Sequence, residues 1–63
     1  MFEVNIGDVR RFHNDYKYKE VFVVIKFQTD YTGYTTVFVR YLKDKNLIST
    51  YSLEFIERST KKV

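Results

Sequence analysis

Residues 20–27, Glu20-Val21-Phe22-Val23-Val24-Ile25-Lys26-Phe27, decide the fold class. The run is almost wholly β-branched or aromatic, it has no 3.6-residue period, and it is too short for a helix, so it predicts a β-strand. A second run of the same character spans Tyr34 to Leu42, Tyr-Thr-Thr-Val-Phe-Val-Arg-Tyr-Leu. Between them Thr29-Asp30-Tyr31-Thr32-Gly33 is rich in turn formers and carries one glycine, which makes the pair a β-hairpin. In the first run Val21, Val23, Ile25 and Phe27 share one face, and Glu20, Phe22, Val24 and Lys26 share the other. A clean one-sided sheet would not show a half-apolar second face. In the second run Val37, Val39 and Tyr41 oppose Thr36, Phe38, Arg40 and Leu42.

Working outward, Lys43-Asp44-Lys45-Asn46 is a polar turn that leads to a third strand, Leu47 to Tyr51. Ser52 is placed to cap one tight helical turn over Ser-Leu-Glu-Phe, and Ile56 to Thr60 is expected to return as a short last strand, with Lys61-Lys62-Val63 frayed. Upstream, Phe2, Val4 and Ile6 alternate with Glu3 and Asn5, the pattern of a short half-buried strand. Gly7-Asp8 marks a turn. Val9 to Phe12 is a brief extended segment, in which a bulge would aim both Val9 and Phe12 inward. His13 to Lys19 is a polar loop with two tyrosines and two lysines. The expected core is Val9, Phe12, Val21, Val23, Ile25, Val37, Val39, Ile48, Leu53 and Ile56.

The 63 residues form one domain. A chain of this size buries only about 60% of its unfolded surface, and small domains usually compensate with disulfides or metal. There is no cysteine, which removes disulfides and thiolate sites, and the available substitute is aromatic bulk from six Phe and six Tyr. Self-association is a further route to stability. No basic leader precedes an apolar stretch and no run is long enough to span a bilayer, so the expectation is a cytoplasmic protein without a membrane partner.

This element order resembles the small SH3-like barrels, a superfamily that includes KOW and Tudor modules and many small bacterial and phage proteins. The resemblance covers roughly Gly7 to Ser59. It rests on the Gly7-Asp8 start and on the helical turn Ser52-Leu53-Glu54-Phe55-Ile56 before the last strand. It implies an all-β, five-stranded SH3-like barrel with one short helical turn before the last strand. The tryptophan and acidic loop that serve proline-rich peptides in true SH3 domains have no counterpart here. An OB-like barrel is the rival architecture, although it usually needs a longer chain.

Catalytic chemistry finds little support. The one histidine, His13, lies in a polar loop beside Asn14 and Asp15 with no serine near it in sequence, and a surface histidine is expected. A metal site needs clustered ligands, and a phosphate loop needs more glycines than Gly7 and Gly33. Glu54 and Glu57, three residues apart on a helical turn, suit solvent better than acid/base work. Neither enzymatic activity nor a cofactor is expected.

The net charge of +3 permits a polyanionic partner without demanding one. The favoured function is nucleic-acid binding through a basic and aromatic surface: Arg10, Arg11, Tyr16, Lys17, Tyr18, Lys19, Tyr31, Tyr34 and Arg40. Lys and Arg would meet phosphates, and the tyrosine rings would stack unpaired bases. The alternative is protein–protein interaction, with itself as a homodimer or with another protein as an inhibitor or adaptor. It would use an apolar hairpin face formed by Phe22, Val24, Phe38 and Leu42. A variant is an aromatic cage for a cationic ligand drawn from Tyr16, Tyr18, Tyr31, Tyr34 and Tyr51.

Overall fold

The computed structural model describes residues 4–13 and 20–63. Five antiparallel strands form one sheet, with one short helix packed on it: β1 (Val9–Phe12), β2 (Val21–Thr29), β3 (Thr35–Tyr41), β4 (Ile48–Ser52), α1 (Leu53–Ser59) and β5 (Thr60–Lys62). The spatial order is β4-β3-β2-β1-β5. The sheet is open, because β4 and β5 are its two edges and do not pair with each other.

The central hairpin forms where expected. At its tip Asp30 organises the loop: Oδ1 accepts from the Thr32 amide at 2.9 Å and the Tyr34 amide at 3.1 Å, and the Gly33 amide donates to the Asp30 carbonyl at 3.1 Å. Gly33 has φ +91°, the left-handed conformation that a three-residue hairpin loop places at its last position. At the next turn Asp44 Oδ1 accepts from the Asn46 amide at 3.0 Å. Ser52 caps α1 as its position suggests, its hydroxyl accepting from the Phe55 amide at 3.1 Å.

The core inverts the expectation for the first half of β2. Phe22 and Val24 are fully buried, with Phe12, Val37, Val39, Tyr41 and Ile56, whereas Val21, Val23 and Ile25 are only half-buried. The physical reason is a bulge. The β2–β3 register runs Phe22↔Tyr41, Val23↔Arg40, Val24↔Val39 and then jumps to Lys26↔Phe38 and Phe27↔Val37, leaving Ile25 unpaired. An extra residue switches the parity of everything beyond it. Phe22 and Val24 therefore point inward before the bulge and Phe27 packs against the core after it. The interface expected from Phe22 and Val24 is thereby corrected, since both belong to the interior. Ile48, expected in the core, is 49% exposed, and Val9 is half-buried.

Aromatic rings fill the space that a small aliphatic core would leave. Phe12 lies 5.5 Å from Phe22 and 6.0 Å from Tyr51, and Tyr51 stacks on Phe55 at 5.2 Å. Each such pair adds about 0.5–1.5 kcal/mol beyond its buried area. The Tyr41 and Tyr51 hydroxyls are hydrogen-bonded to each other. Tyr51 is thus committed to the interior side of the sheet and does not join a surface cage.

Both ends of the chain are corrected as well. Of the expected strand at residues 2–6, Phe2 and Glu3 lie outside the described residues. Val4 and Asn5 belong to no strand, and Ile6-Gly7 is a turn that leaves Ile6 63% exposed. At the other end α1 continues to Ser59, so the last strand begins at Thr60, where it was expected to end. Lys61 and Lys62 are paired rather than frayed, opposite Arg11 and Arg10, and the Val63 amide donates to the Val9 carbonyl at 2.8 Å.

Candidate nucleic-acid interface

Helix α1 covers one face of the sheet, with Ile56 buried and Leu53 and Phe55 packed against the core. The opposite, outer face stays uncovered among the described residues, and strand parity decides what it carries. Register pairs place Arg11 beside Lys61, Arg40 beside Val23 and Ile48, and Lys26 beside Phe38, all on that face. Four cations, Arg11, Lys26, Arg40 and Lys61, therefore span β1, β2, β3 and β5, and no outward strand position of the described residues is acidic.

The carboxylates lie elsewhere. Glu54 and Glu57 are on α1, Asp30 and Asp44 are in turns, Glu20 stands half-buried just before β2 near Tyr41, and Asp8 is buried. Among the described residues, no carboxylate comes within 4.0 Å of any of the four cations, whereas Arg10, Arg58 and Lys62 each have one. The moderate net charge of +3 hides this segregation. Strands lie about 4.8 Å apart with about 3.3 Å per residue along them, so Arg11 and Lys61 are immediate neighbours, while Arg11 and Arg40, paired with Val21 and Val23, stand about 12 Å apart across β2. Between these charges the face is apolar: Val9, Val21, Val23, Ile25 and Phe38 are half-buried there. The Lys26 ammonium sits 5.2 Å from the centroid of the Phe38 ring.

Of the residues expected on this surface, Arg11 and Arg40 are brought onto one face. Arg10 is not. It is 6% exposed and points to the helix side, where its Nε donates to Thr60 Oγ1 at 2.8 Å and its Nη2 to the Thr60 carbonyl at 3.1 Å. Asp8 is 3.9 Å from Arg10 and 3.6 Å from Lys62. Adjacent arginines in a strand must diverge, and the one that went inward became the tie between β1 and β5. Tyr31 is 100% exposed at the hairpin tip. Tyr34 is exposed, but lines a shallow recess of about 350 Å³ with Leu53, Glu54 and Glu57, on the acidic side of the molecule. Tyr16, Lys17, Tyr18 and Lys19 lie outside the described residues. Phe38 is on the outer face as expected, and Leu42 is 51% exposed just beyond β3.

Lys26 and Lys61 were not expected. The signal for Lys26 was its place opposite Phe38, hidden by the bulge. The signal for Lys61 was the pairing of a terminus that sequence pattern leaves frayed. His13, for its part, is used structurally. Its amide donates to the Ser59 carbonyl at 3.0 Å, and its Nε2 donates to the Arg58 carbonyl at 3.1 Å, at the end of α1. Among the described residues no three His, Asp or Glu side chains gather as metal ligands, and no helix is long and apolar enough to cross a membrane. The chain matches no protein-family model, no curated protein and no solved structure.

Proposed function

We propose that this chain is a non-enzymatic nucleic-acid-binding protein that takes single strands on the outer face of its sheet. The observation that carries the proposal is the band of four cations, none facing a carboxylate among the described residues, laid over half-buried apolar side chains and the Phe38 ring. Arg11, Lys26, Arg40 and Lys61 meet phosphates, while Phe38 with Val23 and Ile25 offers apolar surface to unpaired bases. A broad face without a protruding helix suits a flexible strand better than a duplex groove. The strand order, with β5 beside β1 and a helical segment between β4 and β5, supports kinship with SH3-like barrels at the level of element order.

Salt dependence tests the proposal. Neutralising about four phosphates of a single strand gives a slope of log Kobs against log salt near −3, from about −0.7 per contact. The Arg11→Gln/Arg40→Gln variant should bind a labelled oligonucleotide more weakly and lose about half of that slope. An unchanged slope in fluorescence anisotropy would remove the outer face as the binding surface.

A further inference from the structure

The two edges of the sheet are protected unequally. At one edge β5 reads Thr-Lys-Lys, a charged three-residue strand of the kind that discourages further pairing. At the other, β4 reads Ile-Ser-Thr-Tyr-Ser, with no charge, no proline and no bulge; its first residue Ile48 is 49% exposed and Leu47 just before it 45%. The Tyr41 amide donates to the Leu47 carbonyl at 3.2 Å. Antiparallel ladders alternate, so Ser49 and Tyr51 aim their backbone groups at β3, and Ile48 and Thr50 aim theirs outward. Backbone groups left in this way form a template for another strand.

We infer that β4 pairs with β4 of a second copy of this chain, antiparallel about a twofold axis at Ser49. In that register Ile48 and Thr50 of the two copies exchange four backbone hydrogen bonds, and an isologous contact closes on itself as a dimer. The uncharged strand meets itself without like-charge repulsion. Charge complementarity at the flanks selects the second copy as the occupant. Antiparallel pairing carries each β3–β4 turn, with Lys43 and Lys45 outnumbering Asp44, to the level of the partner's α1, where Arg58 is held 3.3 Å from Glu54 and Glu57 has no cation within 4.0 Å among the described residues. The product is a continuous ten-stranded sheet, twice the five of one chain, with both outer faces on the same side. A five-residue edge buries less than the roughly 1,200–2,000 Å² of a stable complex, so the dimer is weak and concentration-dependent.

Sedimentation of the full chain from about 10 μM to about 1 mM, the range of weak interfaces, tests this pairing. The apparent mass should approach twice that of one chain at the upper end. The Ile48→Lys/Thr50→Lys variant changes two exposed side chains and should sediment as a single chain throughout, with an unchanged circular dichroism spectrum. Amide exchange in the unmodified protein supplies a readout that does not depend on that variant folding. Exchange at Ile48 and Thr50 should slow at least several-fold as concentration rises. Constant single-chain mass with concentration-independent exchange at those amides would overturn the inference. So would a lysine variant that folds and still doubles its mass.

Discussion

Two adjacent arginines show how much one position decides. Arg10 and Arg11 are chemically identical and differ only in strand parity, yet one is buried against Asp8 and Thr60 and the other belongs to the open face. Removing Arg10 takes away its two hydrogen bonds to Thr60 and leaves Lys62, 3.6 Å from buried Asp8, as the cation beside that carboxylate. At roughly 1.5 kcal/mol for each hydrogen bond from a charged donor, the cost is about 3 kcal/mol. Arg10→Ala should therefore lower stability in urea by about that much, whereas Arg11→Ala should change it by under about 0.5 kcal/mol, as surface substitutions do. Equal effects would contradict the division of roles. Tyr41 supplies a pH signature. Burial, followed by the hydrogen bond to Tyr51, pushes its phenol from 10.0 up to about 12. The folded state thus favours the neutral form. The associated stability is fully present below pH 10.0 and is lost as pH rises through about 12. Denaturation midpoints collected across that window should fall in the native chain and fall less in Tyr41→Phe. Parallel curves would exclude Tyr41 as the cause.

Among the elements, β2 carries the most instructive lesson. Its composition made it legible as a strand, and the hairpin, the Ser52 cap and the last-strand order were legible from turn chemistry and patterning. Its facing was not. Both of its faces are apolar, so periodicity could not distinguish Phe22 and Val24 from Val21 and Val23. The bulge at Ile25 is fixed by pairing with β3, which is a tertiary fact. The same limit applies to β5, whose Lys-Lys composition gives no sign that Asp8 and β1 hold it in place. Deleting Ile25 should close the ladder with Val24↔Val39 and Lys26↔Phe38 kept as neighbours, so that Phe22, Val24 and Phe27 all still face inward. The deletion should therefore cost under about 1 kcal/mol in urea, because it removes only the one residue the bulge absorbs. A loss of about 2 kcal/mol or more would show that the bulge does more than reconcile the facing of the two halves of the strand.

The molecule as a whole is defined by the separation of its charges. Eleven basic and eight acidic residues look evenly mixed along the chain. Folding buries Asp8, commits Arg10 to the interior and collects Glu54 and Glu57 on the helix side. It leaves Arg11, Lys26, Arg40 and Lys61 together over Phe38 and the outward valines. Half of this site was legible in the sequence, as Arg11 and Arg40. The rest depended on which residues the sheet aligned across strands. Tyr34, by contrast, was drawn away from the site by its place beside α1.

The most direct test of the central claim is an NMR amide titration of labelled protein with a single-stranded oligonucleotide pool at low and then moderate salt. Shifts should concentrate at Arg11, Val23, Lys26, Phe38, Arg40 and Lys61, leave Glu54 to Arg58 unmoved, and reverse as salt rises. Shifts centred on the helix face, or none at low salt, would contradict the assignment of the outer sheet face to nucleic acid.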